Sequence, residues 1–454
     1  MEKMERSTAN LLIKKKQFAA LKIILAEMNP ADIASLLVEM HEADDVDDRE
    51  LTVIYRILPK ELAAEAFTYM DSEAQLVLIN AFSDKELRYV IDELFLDDTV
   101  DVIEEMPANV VSRILQNTDT EKRKQINELL NYPEDSAGSF MTTEFVYLKK
   151  DITVEYAFYR IRKIGVAKET VYTCYVTENR RLVGIVTLLD LIVANPETLI
   201  EDIMETNVIS VHTNDDREHA ANTLSKYDLA AIPVLDAEDR IVGIITFDDA
   251  IDVLEEEATE DIEKMAAITP SDKPYLKTSV FRIYKSRIPW LMLLMLSSSI
   301  TAYIISGFED SLKLVPALAM FIPMLMDTGG NTGSQASVTA IRNLSLNEIS
   351  FSDIFKVMLK EVRIAFLCAF TLSLTLFLKV QFIDGQETKI AIVVSCTIFM
   401  VVMMAKFVGC SLPIIAKKIG FDPAVMASPF ITTIVDAGAL LVYFGVASRV
   451  FEIN

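Results

Sequence analysis

The residue with the plainest chemistry in this 454-residue chain is Asp436. It lies in the last apolar stretch, Ala424 to Ala447, and is the only side chain there that is charged at neutral pH. The stretch is long enough to cross a bilayer. A lone carboxylate at mid-membrane costs roughly 2.5–3.5 kcal/mol on insertion scales, so it faces a watery path or a partner. Ser428, Thr432 and Asp436 recur every four residues, which stacks them on one helical face. A second polar run at membrane depth spans Pro323 to Gln335 and holds Asp327, Gly329, Gly330, Asn331 and Gly333. It reads as a break in the helix, where backbone lining a cavity offers carbonyl and amide oxygens to a cation. The Gly329–Gly333 spacing also suits close helix packing. No Lys follows the glycines, so the run is not a phosphate loop.

Five apolar spans are expected to position these residues, at about 288–307, 312–341, 357–378, 388–416 and 424–448. Residues 278–454 carry 14 Lys and Arg against 11 Asp and Glu, a net of +3, which leaves −27 on residues 1–277. Basic residues flank alternate loops (Arg282, Lys285, Arg287; Arg342, Lys356, Lys360, Arg363; Lys417, Lys418). This places the acidic half in the cytoplasm and, after five spans, Asn454 outside. An acidic soluble half argues against nucleic acid, whose phosphates need Lys and Arg, and suits cations. The four cysteines lack metal spacing and read as reduced thiols. The three histidines (His41, His212, His219) make no metal motif, so an enzyme finds little support. The N-terminus shows no signal peptide.

The soluble half divides into an all-α segment, a duplicated α/β segment and an acidic connecting helix. Residues 1–135 read as a helical solenoid, with starts at Pro30, Pro59, Asp84 and Pro107. Acidic pairs such as Asp97–Asp98 read as a solvated face or part of a metal-sensing surface. In residues 138–253, Arg181–Asp190 aligns with Arg240–Asp249 at an offset of 59. Each copy is a β-rich run ending near a Gly, then a helix start at Thr187 or Thr246. This duplication resembles a tandem pair of CBS domains, expected at 138–200 and 201–253. The resemblance implies binding of ATP or another adenosine nucleotide, with Thr187, Asp190, Thr246 and Asp249 holding the ribose. The competing reading is that each Thr caps a helix and each Asp complements its dipole. Residues 254–277 are expected to form the connecting helix, with Pro270 and Pro274 ending it. Its run of Glu255, Glu256, Glu257, Glu260, Asp261 and Glu263 would repel itself unless cations intervene.

The Gly329–Gln335 run, the Gly420–Ala424 turn and Pro429-x-x-Thr-Thr-x-x-Asp436 follow a helical domain, two CBS domains and an acidic helix. This order and these motifs resemble the MgtE family of magnesium channels over nearly the whole chain. The resemblance implies a homodimer in the cytoplasmic membrane that passes Mg²⁺ passively and is closed by cytosolic Mg²⁺. It implies a pore lined by Asp436, Thr432, Ser428 and Asn331 within residues 278–454. It further implies a sensor drawn from Asp98, Asp249, Glu255, Glu256, Glu260 and Asp261. Mg²⁺ dehydrates reluctantly, so opposed carboxylates can hold it through its waters. The chain departs from many relatives at Lys406, where they have Asn, and at Asp327, where they have a small neutral residue. The two are expected to neutralise each other as a membrane ion pair. The alternatives are the same fold passing Mn²⁺ or Co²⁺ or exchanging Na⁺, and a membrane-anchored nucleotide-sensing regulator.

Overall fold

The computed structural model describes residues 2–165, 168–271, 275–276, 278–346, 348–426 and 428–452. They form two compact units, Met1–Leu254 and Glu255–Asn454.

The first unit opens with ten helices: α1 Glu2–Lys14, α2 Phe18–Ala26, α3 Pro30–Glu42, α4 Asp48–Ile57, α5 Lys60–Thr68, α6 Ser72–Ala81, α7 Asp84–Glu93, α8 Leu96–Glu104, α9 Ala108–Asn117 and α10 Thr120–Leu129. All four expected starts coincide with helix starts. Pro30 is the first residue of α3 and Pro59 and Pro107 are N-caps, where a missing N–H costs nothing. Asp47 and Ser83 close capping boxes with Glu50 and Glu86. Helices pack mainly on the helix two further along, α3 on α5, α5 on α7 and α7 on α9. Basic side chains tie their C-terminal carbonyls. Arg113 donates to the carbonyls of Ile79 and Phe82, and Lys122 to those of Ile91 and Leu94. A cation there meets unpaired carbonyls and the negative end of the helix dipole.

Two three-stranded sheets follow. β1 Tyr147–Lys149 is parallel to β2 Thr173–Glu178, which is antiparallel to β3 Arg181–Thr187. β4 Val211–His212, β5 Ala231–Leu235 and β6 Ile241–Thr246 repeat that topology, as the duplication requires. The helices among them are α11 Val154–Ile164, α12 Leu188–Val193 and α13 Arg217–Lys226. α12 and its counterpart α14 start directly after Thr187 and Thr246. α14 is long, Phe247–Met265. The acidic run is therefore not a separate helix from residue 254 but the extension of a repeat helix. It ends at Met265, before Pro270, with Ala267 in the left-handed region. Pro274 lies outside the described residues.

The second unit holds five long helices: α15 Val280–Gly307, α17 Ile322–Ser345, α18 Ile354–Leu378, α19 Thr388–Lys418 and α20 Ser428–Phe451, with a short α16 Glu309–Leu314 between the first two. Among the described residues, four segments are long and apolar enough to cross a membrane: Val280–Gly307, Phe351–Ile383, Thr388–Lys418 and Ala424–Phe451. The basic residues Arg282, Lys285 and Arg287 lie in the first part of α15 itself. The expected break at Pro323–Gln335 is absent: α17 runs through it as continuous helix. Pro323 sits in the first turn, where it is tolerated, and the irregular stretch is Pro316–Phe321 just before. The glycines serve packing instead. A Cβ on Gly329 would lie 2.7 Å from Val401 Cγ1 and 2.9 Å from Val435 Cγ1. One on Gly333 would lie 2.8 Å from Ile431 Cγ2, and Gly409 abuts the Gly333 carbonyl. Small residues thus let α17 approach α19 and α20 closely. Tyr443 donates to the Leu318 carbonyl at 2.9 Å, and Phe308 stacks on Phe444.

Candidate functional site

Asp436 lies on α20 opposite Gly330 of α17. A Cβ on Gly330 would lie 2.5 Å from Thr432 Cγ2 and 4.0 Å from Asp436 Oδ1. The absent side chain leaves room for the Thr432 methyl, while the carboxylate stands at ordinary contact distance. Asp436 Oδ1 is enclosed and accepts no hydrogen bond, an arrangement that leaves a strong acceptor unsatisfied. Thr432 is half-buried one turn earlier, beside the same glycine. The side chain of Ser428 lies outside the described residues. On α17, Asp327, Asn331 and Gln335 are exposed at four-residue spacing and share a face. The structure thus gathers two acids, an amide and a Thr onto adjacent faces of α17 and α20.

Lys406 does not pair with Asp327. Its Nζ lies 3.7 Å from Glu361 Oε2, with both side chains buried. Glu361 is on α18, and Lys406 turns toward that helix while Asp327 turns with Asn331 to the exposed face. A buried ammonium takes the carboxylate that is also buried, because each relieves the other's desolvation.

A second acidic site forms within the first unit. Oxygens of Asp97, Glu144 and Glu169 lie within 4.8 Å of one another. Asp97 sits in the first turn of α8, Glu144 just before β1, and Glu169 just before β2. Glu144 accepts from the Leu96 N–H at 3.2 Å, and the Glu169 N–H donates to the Glu144 carbonyl at 2.9 Å. Asp97 is 9 % exposed, and its Oδ1, like Glu169 Oε2, accepts no hydrogen bond. Asp98, Asp101 and Asp249 add their charges. Burial, then Asp249 and Asp98, pushes Asp97 well above the usual carboxylate range. Burial and then Asp249 push Asp98 up to about 6, and Asp101, which keeps a solvent-facing side, to about 7. Burial followed by Asp98 and Asp249 pushes Glu169 up to about 8. A divalent cation would relieve this repulsion and fill the unsatisfied oxygens, which are hard donors suited to Mg²⁺. Asp101, Glu144 and Glu169 join three residues the sequence singled out, Asp97, Asp98 and Asp249. Asp101, one turn from Asp97, carried a readable signal; Glu144 and Glu169 carried none.

The two Thr/Asp pairs are not equivalent. Thr187 and Asp190 cap α12: Asp190 N–H donates to Thr187 Oγ1 at 3.1 Å, and Asp190 Oδ2 accepts from Thr187 N–H at 2.9 Å. Asp190 is exposed. Thr246 is buried and donates to Asp249, which faces the acidic site. In the second unit, Glu255 and Glu256 are exposed on α14 and Asp261 is half-buried. Glu260 is ion-paired with Lys264, which also reaches Asp422 at 2.7 Å. Met265 packs with Ile341 and Ala424 there.

Residues 322–446 match a family described as MgtE, divalent cation transporter; residues 41–135 match the MgtE intracellular N domain, and residues 137–197 and 200–256 match CBS domains. The chain is 36 % identical over 438 residues to the magnesium transporter MgtE of Thermus thermophilus, covering 95 % of each chain. It is 33 % identical to that of Bacillus subtilis, covering 96 % of this chain and 95 % of the other. These relatives are named as transporters, not enzymes. Among solved structures, the cytosolic domain of the Mg²⁺ channel MgtE in complex with ATP matches with a TM-score of 0.51 at 33 % identity, covering 55 % of this chain and 99 % of that one. The soluble part of a magnesium transporter matches with a TM-score of 0.51 at 29 % identity, covering 57 % and 100 %. With its helical N-terminal domain, paired CBS domains and helical membrane domain each matched in order, the chain belongs to the MgtE family.

Proposed function

We propose that the chain is a magnesium channel of the cytoplasmic membrane, passive, homodimeric and closed by cytosolic Mg²⁺. The observation that carries this reading is the exposed polar face of α17 beside Asp436. Asp327 and Asn331 face outward from a helical unit whose neighbours are of membrane-spanning length and apolarity. Acids at that depth do not face lipid, so this face borders water or a second copy of the chain. A dimer apposing two such faces encloses Asp436, Thr432 and Asn331 in a path where carboxylates meet a cation through its waters. α17 then counts as the fifth span, with its polarity explained by the path, and five spans leave the C-terminus outside. In the soluble half, the alternate-helix packing reads as a short solenoid. Its α8 face, with Glu144, Glu169 and Asp249, would hold Mg²⁺ when the metal is plentiful, and Glu255, Glu256, Glu260 and Asp261 of the second unit are the remaining candidate ligands. The domains read as 1–135, 138–200, 201–253, 254–277 and 278–454, although α14 crosses the third boundary. ATP, seen in complex with a relative's cytosolic domain, suits Thr187 and Asp190, which are open, better than Thr246 and Asp249.

The test is ion flux into liposomes holding the full chain, with Mg²⁺, Mn²⁺, Co²⁺ and Na⁺ compared and the metal on the soluble-domain side varied. The reading expects Mg²⁺ flux that falls as that metal rises. Flux insensitive to it removes the sensor, and flux of Mn²⁺ or Co²⁺ without Mg²⁺ changes the cargo.

A further inference from the structure

Two ionisable groups inside the helical unit take no part in the site described above. Lys406 of α19 and Glu361 of α18 lie 3.7 Å apart, with side chains 9 % and 13 % exposed. Glu361 Oε2 is enclosed and accepts no hydrogen bond, so its compensation is the Lys406 charge. Joining α18 to α19 does not require charges. Ser373 Oγ already donates to the Ser395 carbonyl at 2.7 Å, and Ala369 and Leu376 pack in one apolar cluster with Val394 and Ile398. Replacing a buried pair by apolar residues is often neutral or stabilising, whereas removing one partner is strongly destabilising. The pair therefore needs a reason beyond stability.

Its place suggests one. Ala405, the residue before Lys406, packs in one cluster with Val435, the residue before Asp436. Packed helix axes lie roughly 8–10 Å apart, so the Lys406 charge stands on the order of 10–15 Å from Asp436. At that range, with an effective dielectric of about 20, one uncompensated positive charge weakens binding of a cation about tenfold or more.

We propose that Glu361 is a fixed counter-charge that cancels Lys406, so that the path at Asp436 keeps its attraction for divalent cations. Glu361 acts through Lys406 and is a positioning residue that sets cation affinity. The inference rests on reading Asp436 as the transport site.

The experiment measures Mg²⁺ flux against Mg²⁺ concentration in liposomes, normalised to inserted protein, for wild type, Glu361→Gln, Glu361→Asp, Lys406→Met and the double variant Glu361→Gln/Lys406→Met. Glu361→Gln raises the half-saturating concentration about tenfold with little change in maximal flux, and Lys406→Met shifts it the opposite way. Glu361→Asp and the double variant return to within about threefold of wild type. A purely structural pair would lower inserted protein and maximal flux in both single variants without opposite shifts, and that result overturns the proposal. So does an unmoved half-saturation in Glu361→Gln. If Glu361→Gln fails to insert, Lys406→Met and the double variant decide: a raised or unchanged half-saturation in Lys406→Met overturns it. Wild type without Mg²⁺ flux overturns the transport reading as well, whereas wild-type flux with unmoved variants overturns the counter-charge alone.

Discussion

Neutralising Asp98 should stabilise the metal-free protein at alkaline pH. Burial, then Asp249, lifts the Asp98 carboxyl from 3.8 to about 6. Each pH unit across that interval is worth about 1.4 kcal/mol, so the ionised group costs the fold up to roughly 3 kcal/mol. Residual exposure and shared repulsion reduce this to roughly 1–2 kcal/mol. The native state holds these protons more tightly than the unfolded chain. The stability they confer is therefore complete at low pH and is lost as pH rises through about 6 for Asp98, 7 for Asp101 and 8 for Glu169. Asp98→Asn should raise the unfolding temperature by about 2–8 °C at pH 8 in chelator and by about half as much at pH 5, where the unfolded carboxyl is already ionised and the native one is not. Mg²⁺ binds the ionised carboxylates, so it should stabilise wild type at pH 8 and stabilise Asp98→Asn less. The assay is thermal unfolding of the full chain in detergent between pH 5 and 8, with chelator or Mg²⁺. Wild type that becomes more stable from pH 5 to pH 8 without metal, or Asp98→Asn that is less stable at pH 8, would refute the reasoning.

Four further substitutions test other parts of the structure. Gly409→Val forces a side chain onto the Gly333 carbonyl and should cost at least about 1–3 kcal/mol, lowering the unfolding temperature in detergent. Gly445→Ala enters open space and should be nearly neutral. Thr187→Ala removes the cap of α12, at about 1 kcal/mol, and should weaken ATP binding severalfold by calorimetry. Thr246→Ala should leave ATP binding within about twofold, since that pair is turned to the acidic site.

Local signals carried far into the structure. Pro30, Pro59, Asp84 and Pro107 marked helix starts because proline and capping chemistry act within a few residues. The offset between Thr187 and Thr246 revealed the duplication because the two copies keep one strand–strand–helix pattern. Contacts between distant segments left no such trace. Asp97, Glu144 and Glu169 are separated by 47 and 25 residues and meet only when α8 packs on the first sheet domain. Glu361 became the partner of Lys406 through helix orientation, which residue types alone do not define. The glycine run is ambiguous for a related reason. Glycine permits both a broken helix and a closely packed one, and only the neighbours Val401, Ile431 and Val435 decide between them.

The central claim is that a cation passes Asp436. Mg²⁺ flux into liposomes holding equal amounts of folded wild type or Asp436→Ala tests it most directly. The account predicts that the variant loses nearly all Mg²⁺ flux while its unfolding temperature stays at or above that of wild type, because an unpaired enclosed carboxylate is gone. Undiminished flux in Asp436→Ala would contradict it.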